Sequence, residues 1–303
     1  MTYIVVVADL ADDGSMRPHT LELVTAARSI GDAFGASLAA LVLAPGREVA
    51  EAVAAIAGVD RVVLIESERA LPYTSDVWSA AIGAALARLE PAAVIFAGSL
   101  AARDYAPRVA ARHGWGMVAD VHAIQIDGER LIVHRSLLGG RVESAIEFDG
   151  DAIPMMTIKP GAFPRATSSA TPAPIEALAI PRDEILNRVR VLESTLHRPA
   201  TASLTSARRI VSGGRGLRGP DAFGMLEELA ALLDAAVGAS GAVVGAGWRS
   251  HDDQVGSTGH TVAPLLYLAV GISGAPQHLV GMQGSEYVVA INRDPDAPIF
   301  DIA

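Results

Sequence analysis

The run Ser212-Gly213-Gly214-Arg215-Gly216 follows a short apolar stretch, Arg209–Ser212, and precedes a helix-start signal at Pro220-Asp221. Strand, glycine-rich turn and helix in that order make an anion-binding arrangement: glycines let the backbone approach a phosphate, and amide N–H groups point at it. Arg215 adds a planar, permanently charged fork suited to a phosphate or an aromatic ring face. Four further junctions share this character. They are Val237-Gly238-Ala239-Ser240-Gly241, Gln254-Val255-Gly256-Ser257-Thr258-Gly259, Gly271-Ile272-Ser273-Gly274-Ala275-Pro276-Gln277-His278 and Asn292-Arg293-Asp294-Pro295. In an open parallel sheet such strand-end loops lie along one edge, where ligands bind. Together they supply N–H donors, hydroxyls and amides without a general-base pair. That chemistry holds a large nucleotide cofactor and does not cut a bond.

Other residues point to less. Asp252-Asp253 beside His251 is the nearest thing to an acid–base group, and a solvated turn accounts for it. Asp9, at the end of the first apolar run, could touch a ligand, but a cap or turn role explains it as well. His19, His113, His122 and His134 lack metal-ligand spacing. Lys159 is the single lysine, and Ile158-Lys159-Pro160-Gly161 fits neither a phosphate loop nor a Schiff-base site. Cysteine is absent, which excludes disulfides, cysteine nucleophiles, cysteine-ligated zinc and iron–sulfur clusters.

The elements that must position the loops alternate. Tyr3–Ala8, Leu38–Leu43, Arg61–Ile65 and Ala92–Ala97 read as continuous apolar strands. Helices are predicted over Leu21–Phe34, Val49–Ile56, Val77–Leu89 and Arg103–Arg112. Repeated β-α-β with apolar strands means a parallel sheet covered on both faces. Ala119–Ile126 and Arg130–Ser136 flank Asp127-Gly128, a hairpin signal, and Glu143–Phe148 and Ile153–Ile158 continue as strands. The first domain is therefore an α/β parallel core with an antiparallel extension, residues 1–163. Residues 164–206 are rich in Pro, Ser and Thr and read as a linker, in which Asp183–Leu196 forms a short helix or edge strand. Residues 207–303 form the second domain. They carry strands at Arg209–Ser212, Leu265–Val270 and Val288–Ile291 and a helix over Ala222–Leu233.

With 303 residues and half of them hydrophobic, the chain is long enough to bury two cores of roughly 100–200 residues each. Its net charge of −10 argues against a nucleic-acid partner. The start lacks a basic leader with a cleavage site, and no apolar run reaches the roughly 18 residues of a membrane span. A bacterial cytoplasmic location, without membrane insertion, is expected.

The loops also carry a resemblance. Val211-Ser212-Gly213-Gly214-Arg215-Gly216, Ala236-Val237-Gly238-Ala239-Ser240, Gln254-Val255-Gly256-x-Thr258-Gly259, Ala269-Val270-Gly271-Ile272-Ser273-Gly274-Ala275-x-Gln277-His278-Leu279 and Ala290-Ile291-Asn292-x-Asp294-Pro295-x-Ala297-Pro298-Ile299-Phe300 follow one another in an order and spacing that resemble the FAD-binding domain of the electron transfer flavoprotein α subunit. The first domain resembles the same family more loosely. The matches there are Gly98-Ser99, Arg103-Asp104, Pro107-Arg108, Arg135, Gly139-Gly140 and Lys159-Pro160-Gly161-Ala162-Phe163.

The resemblance implies a nucleotide-α-hydrolase-like first domain and a Rossmann-like, doubly wound second domain. It implies non-covalent FAD and a heterodimer with a β subunit. In that family electrons pass from acyl-CoA or other dehydrogenases of fatty-acid β-oxidation to a quinone oxidoreductase, so the chain would be a carrier more than a self-contained enzyme. Carried over position by position, Arg215, Ser240, Val255, Gly256, Ser257 and Thr258 face the cofactor. Ser273, Gly274, Ala275, Pro276, Gln277 and His278 wrap the flavin and diphosphate, and Asn292 meets the adenosine side. Arg215, Thr258 and His278 tune the flavin: Thr258 lies near N5, and a protonated or hydrogen-bonding His278 lies near O2, where reduction places negative charge.

Three departures from the family pattern stand out. Position 241 is Gly where the family has Arg, with Arg249 the candidate replacement cation. The stretch Gly245-Ala246-Gly247-Trp248-Arg249-Ser250-His251 replaces an Asp-Ala-Gly-x-x-Pro-Asn pattern. The family's closing segment after the Ala303 position has no counterpart here. The first and third motivate an alternative: a non-redox paralogue that binds AMP or ADP, or an assembly scaffold.

Overall fold

The computed structural model describes residues 3–138, 142–148, 152–180, 188–194, 204 and 207–303. The chain divides into two compact units, one running to residue 137 and from 142 to 194, the other taking residue 138 and running from 204 onward.

In the first unit, β1 (Tyr3–Val7), β2 (Ser37–Ala44), β3 (Arg61–Glu66) and β4 (Ala93–Ala97) are parallel and almost wholly buried. Burial on both faces is what their unbroken Val/Ile/Leu/Ala content requires. α1 (His19–Phe34) packs on β1 and β4, α2 (Glu48–Ala54) on β2 and β3, and α3 (Ser75–Leu89) against α4 (Leu100–His113). β5 (Met117–Asp127), β6 (Arg130–Leu137) and β7 (Val142–Glu147) form the antiparallel extension, turning at Gly128 with φ 63°. β8 (Met155–Ile158) lies parallel between β4 and β5, and β9 (Ile175–Ala177) closes the far edge beside β3. The order of the nine-stranded sheet is β7-β6-β5-β8-β4-β1-β2-β3-β9.

β9 departs from the linker expectation. Its residues sit within the Pro-rich stretch, yet Val62 N–H donates to the Pro174 carbonyl and Leu178 N–H to the Leu64 carbonyl. Proline at a sheet edge costs no ladder bond when its missing N–H would face outward, so the composition of a linker also suits an edge strand. Residues 188–194 carry no regular structure. The rest of Asp183–Leu196, together with Gly139 and Gly140, lies outside the described residues.

In the second unit, β10 (Arg209–Gly213), β11 (Ala236–Ser240), β12 (Gln254–Val255), β13 (Leu266–Val270) and β14 (Tyr287–Ile291) are all parallel, in the order β12-β11-β10-β13-β14. Period-two alternation splits the core into two layers. Val211 and Val237 join Phe223, Leu226 and Ala230 beneath α5 (Phe223–Leu232), while Ile210, Tyr267 and Ala269 join Met282 and Ile299 on the opposite face. Val289 is paired with Leu268, and with Tyr287 and Ile291 it leaves the outer edge of the α5 face exposed.

Candidate functional site

The second sheet reverses its winding at β10. Successive strands run outward to β11 and β12 on one side, then to β13 and β14 on the other. Such a switch point opens a crevice at the carboxyl ends of the strands, because the loops leaving the two neighbours diverge. The glycine-rich turn after β10 and the Gly271–Gly274 turn after β13 meet here. Gly214 N–H donates to the Val270 carbonyl and Gly216 N–H to the Gly271 carbonyl, each at 2.9 Å.

A cleft of about 500 Å³ opens beside this junction, and all five strand-end loops contribute to its wall. Of the residues expected at the site, Arg215, Ser240, Val255, Gly256, Ser257, Thr258, Ser273, Ala275, Gln277, His278 and Asn292 line it, while Gly274 and Pro276 do not. Gly274 has φ 85°, and a Cβ there would sit 2.3 Å from the Ile299 nitrogen, so it shapes the turn. Pro276 opens α6 (Pro276–Met282), where its missing N–H and fixed φ cost nothing.

Several wall residues are fixed from behind. Gln254, buried at the start of β12, donates through Nε2 to Thr258 Oγ1 at 2.8 Å. Asn292 donates through Nδ2 to the Ile272 carbonyl at 2.9 Å and accepts from Asp294 N–H at 3.1 Å, bracing the β14 exit against the β13 exit. His278 is buried, and its Nε2 lies 3.0 Å from the hydroxyl of fully buried Tyr267. Burial pushes the imidazole down to about 4, and the nearby Val255 backbone opposes this without overcoming it. Nδ1 is itself buried and makes no hydrogen bond of good geometry. Burial thus favours the neutral, hydrogen-bonding form of the ring over the protonated one.

Arg249 is not a cleft cation. Its guanidinium is held by Asp253 at 2.9 Å and by Glu227, and it stands over the Phe223 ring. The expected substitution of Arg249 for a cation at position 241 is thereby overturned. Position 241 itself is roomy: a Cβ on Gly241 would meet only the Gln254 side chain, at 3.6 Å or more.

The motifs passed over two features of the wall. Gln254 opens a matching segment but carries no assigned role, and Arg293 occupies the unmatched place between Asn292 and Asp294. Elsewhere, Asp9 is a buried clamp. It accepts from Ser99 Oγ at 2.8 Å, faces Arg17 at 3.8 Å, and its N–H donates to Thr20 Oγ1. No group of metal-ligating side chains occurs among the described residues, and none of their helices is long and apolar enough to cross a membrane.

The residues present fit a flavin dinucleotide. The cleft combines cations at Arg215 and Arg293, glycines that let backbone come close, apolar surface from Val255 and Ile272, and an oriented hydroxyl at Thr258. Comparison with known proteins points the same way. Residues 4–183 match the electron transfer flavoprotein domain, and residues 203–283 match the electron transfer flavoprotein FAD-binding domain. The electron transfer flavoprotein subunit alpha of Syntrophomonas wolfei is 35% identical over 292 residues, covering 96% of this chain and 90% of that protein. Its counterpart in Paracoccus denitrificans is 37% identical over 315 residues, covering 99% and 93%. Protein FixB of Bradyrhizobium diazoefficiens is 33% identical over 298 residues, covering 96% and 80%.

Proposed function

The chain belongs to the electron transfer flavoprotein α subunit family, and we propose that it holds FAD non-covalently in the second-unit cleft and carries electrons as one half of a heterodimer with a β subunit. The proposed donors are acyl-CoA or other dehydrogenases, the proposed acceptor is a quinone oxidoreductase, and the proposed setting is a bacterial cytoplasm. One observation carries the reading: five parallel strands deliver their loops to a single cleft at a switch point, with Arg215 in its wall.

The bound flavin would supply the redox chemistry. The chain's own residues bind and bias it. Arg215 offers a fork of N–H donors where negative charge accumulates on reduction. Gln254 holds the Thr258 oxygen, leaving the hydroxyl proton available to a ligand acceptor. His278 contributes a neutral ring backed by Tyr267.

Co-purification with its β subunit should give a yellow complex. Denaturing that complex should release FAD into the supernatant, as a non-covalent cofactor requires. A colourless complex that ignores added FAD would overturn the reading.

A second reading has one observation in its favour. Gly241 offers no cation at its own position in the wall, and Arg249 is pinned elsewhere. A non-redox paralogue would then bind AMP or ADP, or serve as an assembly scaffold. Binding of ADP with no binding of riboflavin or FAD would select it.

A further inference from the structure

Arg293 stands at the exit of β14, in a place that the motifs leave open. Among the described residues, the cleft wall has four charged or titratable members: Arg215, Arg293, Asp294 and the neutral His278. Neither the Arg215 nor the Arg293 guanidinium makes an ion pair or hydrogen bond with a described residue. Asp294 forms no ion pair with either arginine among the described residues, and the wall stays net positive. Asp294 Oδ1 accepts from Asp296 N–H at 3.1 Å, and its own N–H donates to Asn292. In a chain of net charge −10, two unpaired arginines facing one cleft concentrate positive potential where the rest of the surface is acidic.

Their mounting matters as much as their charge. Arg215 follows Gly214, which is hydrogen-bonded to β13. Arg293 follows Asn292, whose carboxamide is bonded to the Ile272 carbonyl just after β13. Both arginines thus rise from turns tied to the same intervening strand, β13, one from each side of it. Strands β10 and β14 are two sheet spacings apart, roughly 10 Å. Two cations on turns that flank one strand suit a ligand with an extended anionic segment, and a guanidinium can engage one oxygen from each of two linked phosphates.

We propose that Arg293 is a diphosphate-binding residue of this cleft and supplies the second cation that glycine at position 241 does not. The assignment rests on the dinucleotide reading above and adds the residue that grips the linker between the two nucleotides. Because Arg293 is exposed and unpaired, removing it leaves no buried charge behind.

The test uses the full chain and four probes: FAD, ADP, adenosine and riboflavin, each titrated by calorimetry or flavin fluorescence. Arg293→Gln should weaken FAD and ADP by about tenfold or more, the range of a charge-assisted hydrogen bond. Adenosine and riboflavin, which lack the diphosphate, should stay within about twofold. The loss should shrink in about 1 M salt, where charges are screened over a few ångströms. Arg218→Gln, which alters a nearby arginine outside the cleft wall, should change none of the four. Equal weakening of ADP and adenosine would assign Arg293 to the adenine ring and overturn the proposal. So would unchanged FAD and ADP affinity in Arg293→Gln. A wild-type chain that binds FAD while Arg293→Gln binds it equally well fails this assignment alone. A wild-type chain that binds none of the probes fails the dinucleotide reading, and this assignment with it.

Discussion

Gly214 and Gly271 touch backbone to backbone: a Cβ on Gly214 would lie 2.2 Å from the Gly271 carbonyl oxygen. No rotamer relieves that clash, because both partners are main chain. Gly214→Ala must part the β10 and β13 exits. It should destabilise the second unit by about 1–3 kcal/mol in urea unfolding and weaken FAD binding in parallel. Gly241→Ala is the matched control. Its Cβ meets only ordinary contacts at 3.6 Å, so stability should move by less than about 0.5 kcal/mol.

The room at position 241 permits a gain as well as a control. Gly241→Arg should fold and should place a cation in the wall beside Ser240 and Ala242. An added charge at a partly solvated site contributes about 1 kcal/mol, or roughly 20 mV for a two-electron couple. The expected result is a higher flavin reduction potential in a spectroelectrochemical titration. A potential that falls or stays fixed would mean that this part of the wall does not sense flavin charge.

Arg249→Ala separates structural from cofactor cations. The side chain ties the β11–β12 segment to α5 through Asp253 and Glu227. Its removal should lower the unfolding free energy of the second unit by about 1 kcal/mol. FAD affinity should remain within twofold, in contrast to the losses expected at Arg293.

Acid should loosen the second unit before the first. His278 ordinarily titrates at 6.5 and is pushed by burial to about 4. The unfolded chain therefore takes up a proton that the folded unit refuses. The resulting stability is complete above about 6.5 and is lost as pH falls toward 4. His19 behaves in the same way in the first unit, held down by burial and by Arg165. There, however, buried Asp9 and Glu22 are shifted upward, mainly by burial, and their sign is opposite: they favour the fold more as they protonate. The two effects oppose each other in the first unit only. Hydrogen–deuterium exchange between pH 7 and pH 5, corrected for intrinsic rates, should show protection falling more in residues 207–303. His278→Gln should flatten that slope.

The strand-end loops were legible because their residue types are forced. Glycines at 214 and 274 admit no side chain, and the apolar runs of β10, β13 and β14 are too regular to read otherwise. What escaped was whatever depends on partners distant in sequence. Arg249 looks like a free cation until folding brings Glu227 to it across 22 positions. The sequence leaves open whether His278 is protonated or only hydrogen-bonding, until Tyr267 and the surrounding core set its burial. The Pro-rich stretch looks like a tether until β3 offers it an edge. Nor does alternation in β14 reveal that Tyr287, Val289 and Ile291 stay exposed, because a core-facing and an uncovered apolar face have the same pattern.

Asn292 binds the β14 exit to the β13 exit, and Gly214 and Gly216 bind the β13 exit to the β10 exit. Three loops that could each sample their own conformations are joined into one rigid shelf. Fixing a backbone residue costs about 1–2 kcal/mol of entropy, and here that loss falls on folding instead of on ligand capture. A guest meeting the shelf finds its contacts already set and has little protein motion to arrest. Release should then depend on the strength of the contacts themselves, with no loop that must first unwind.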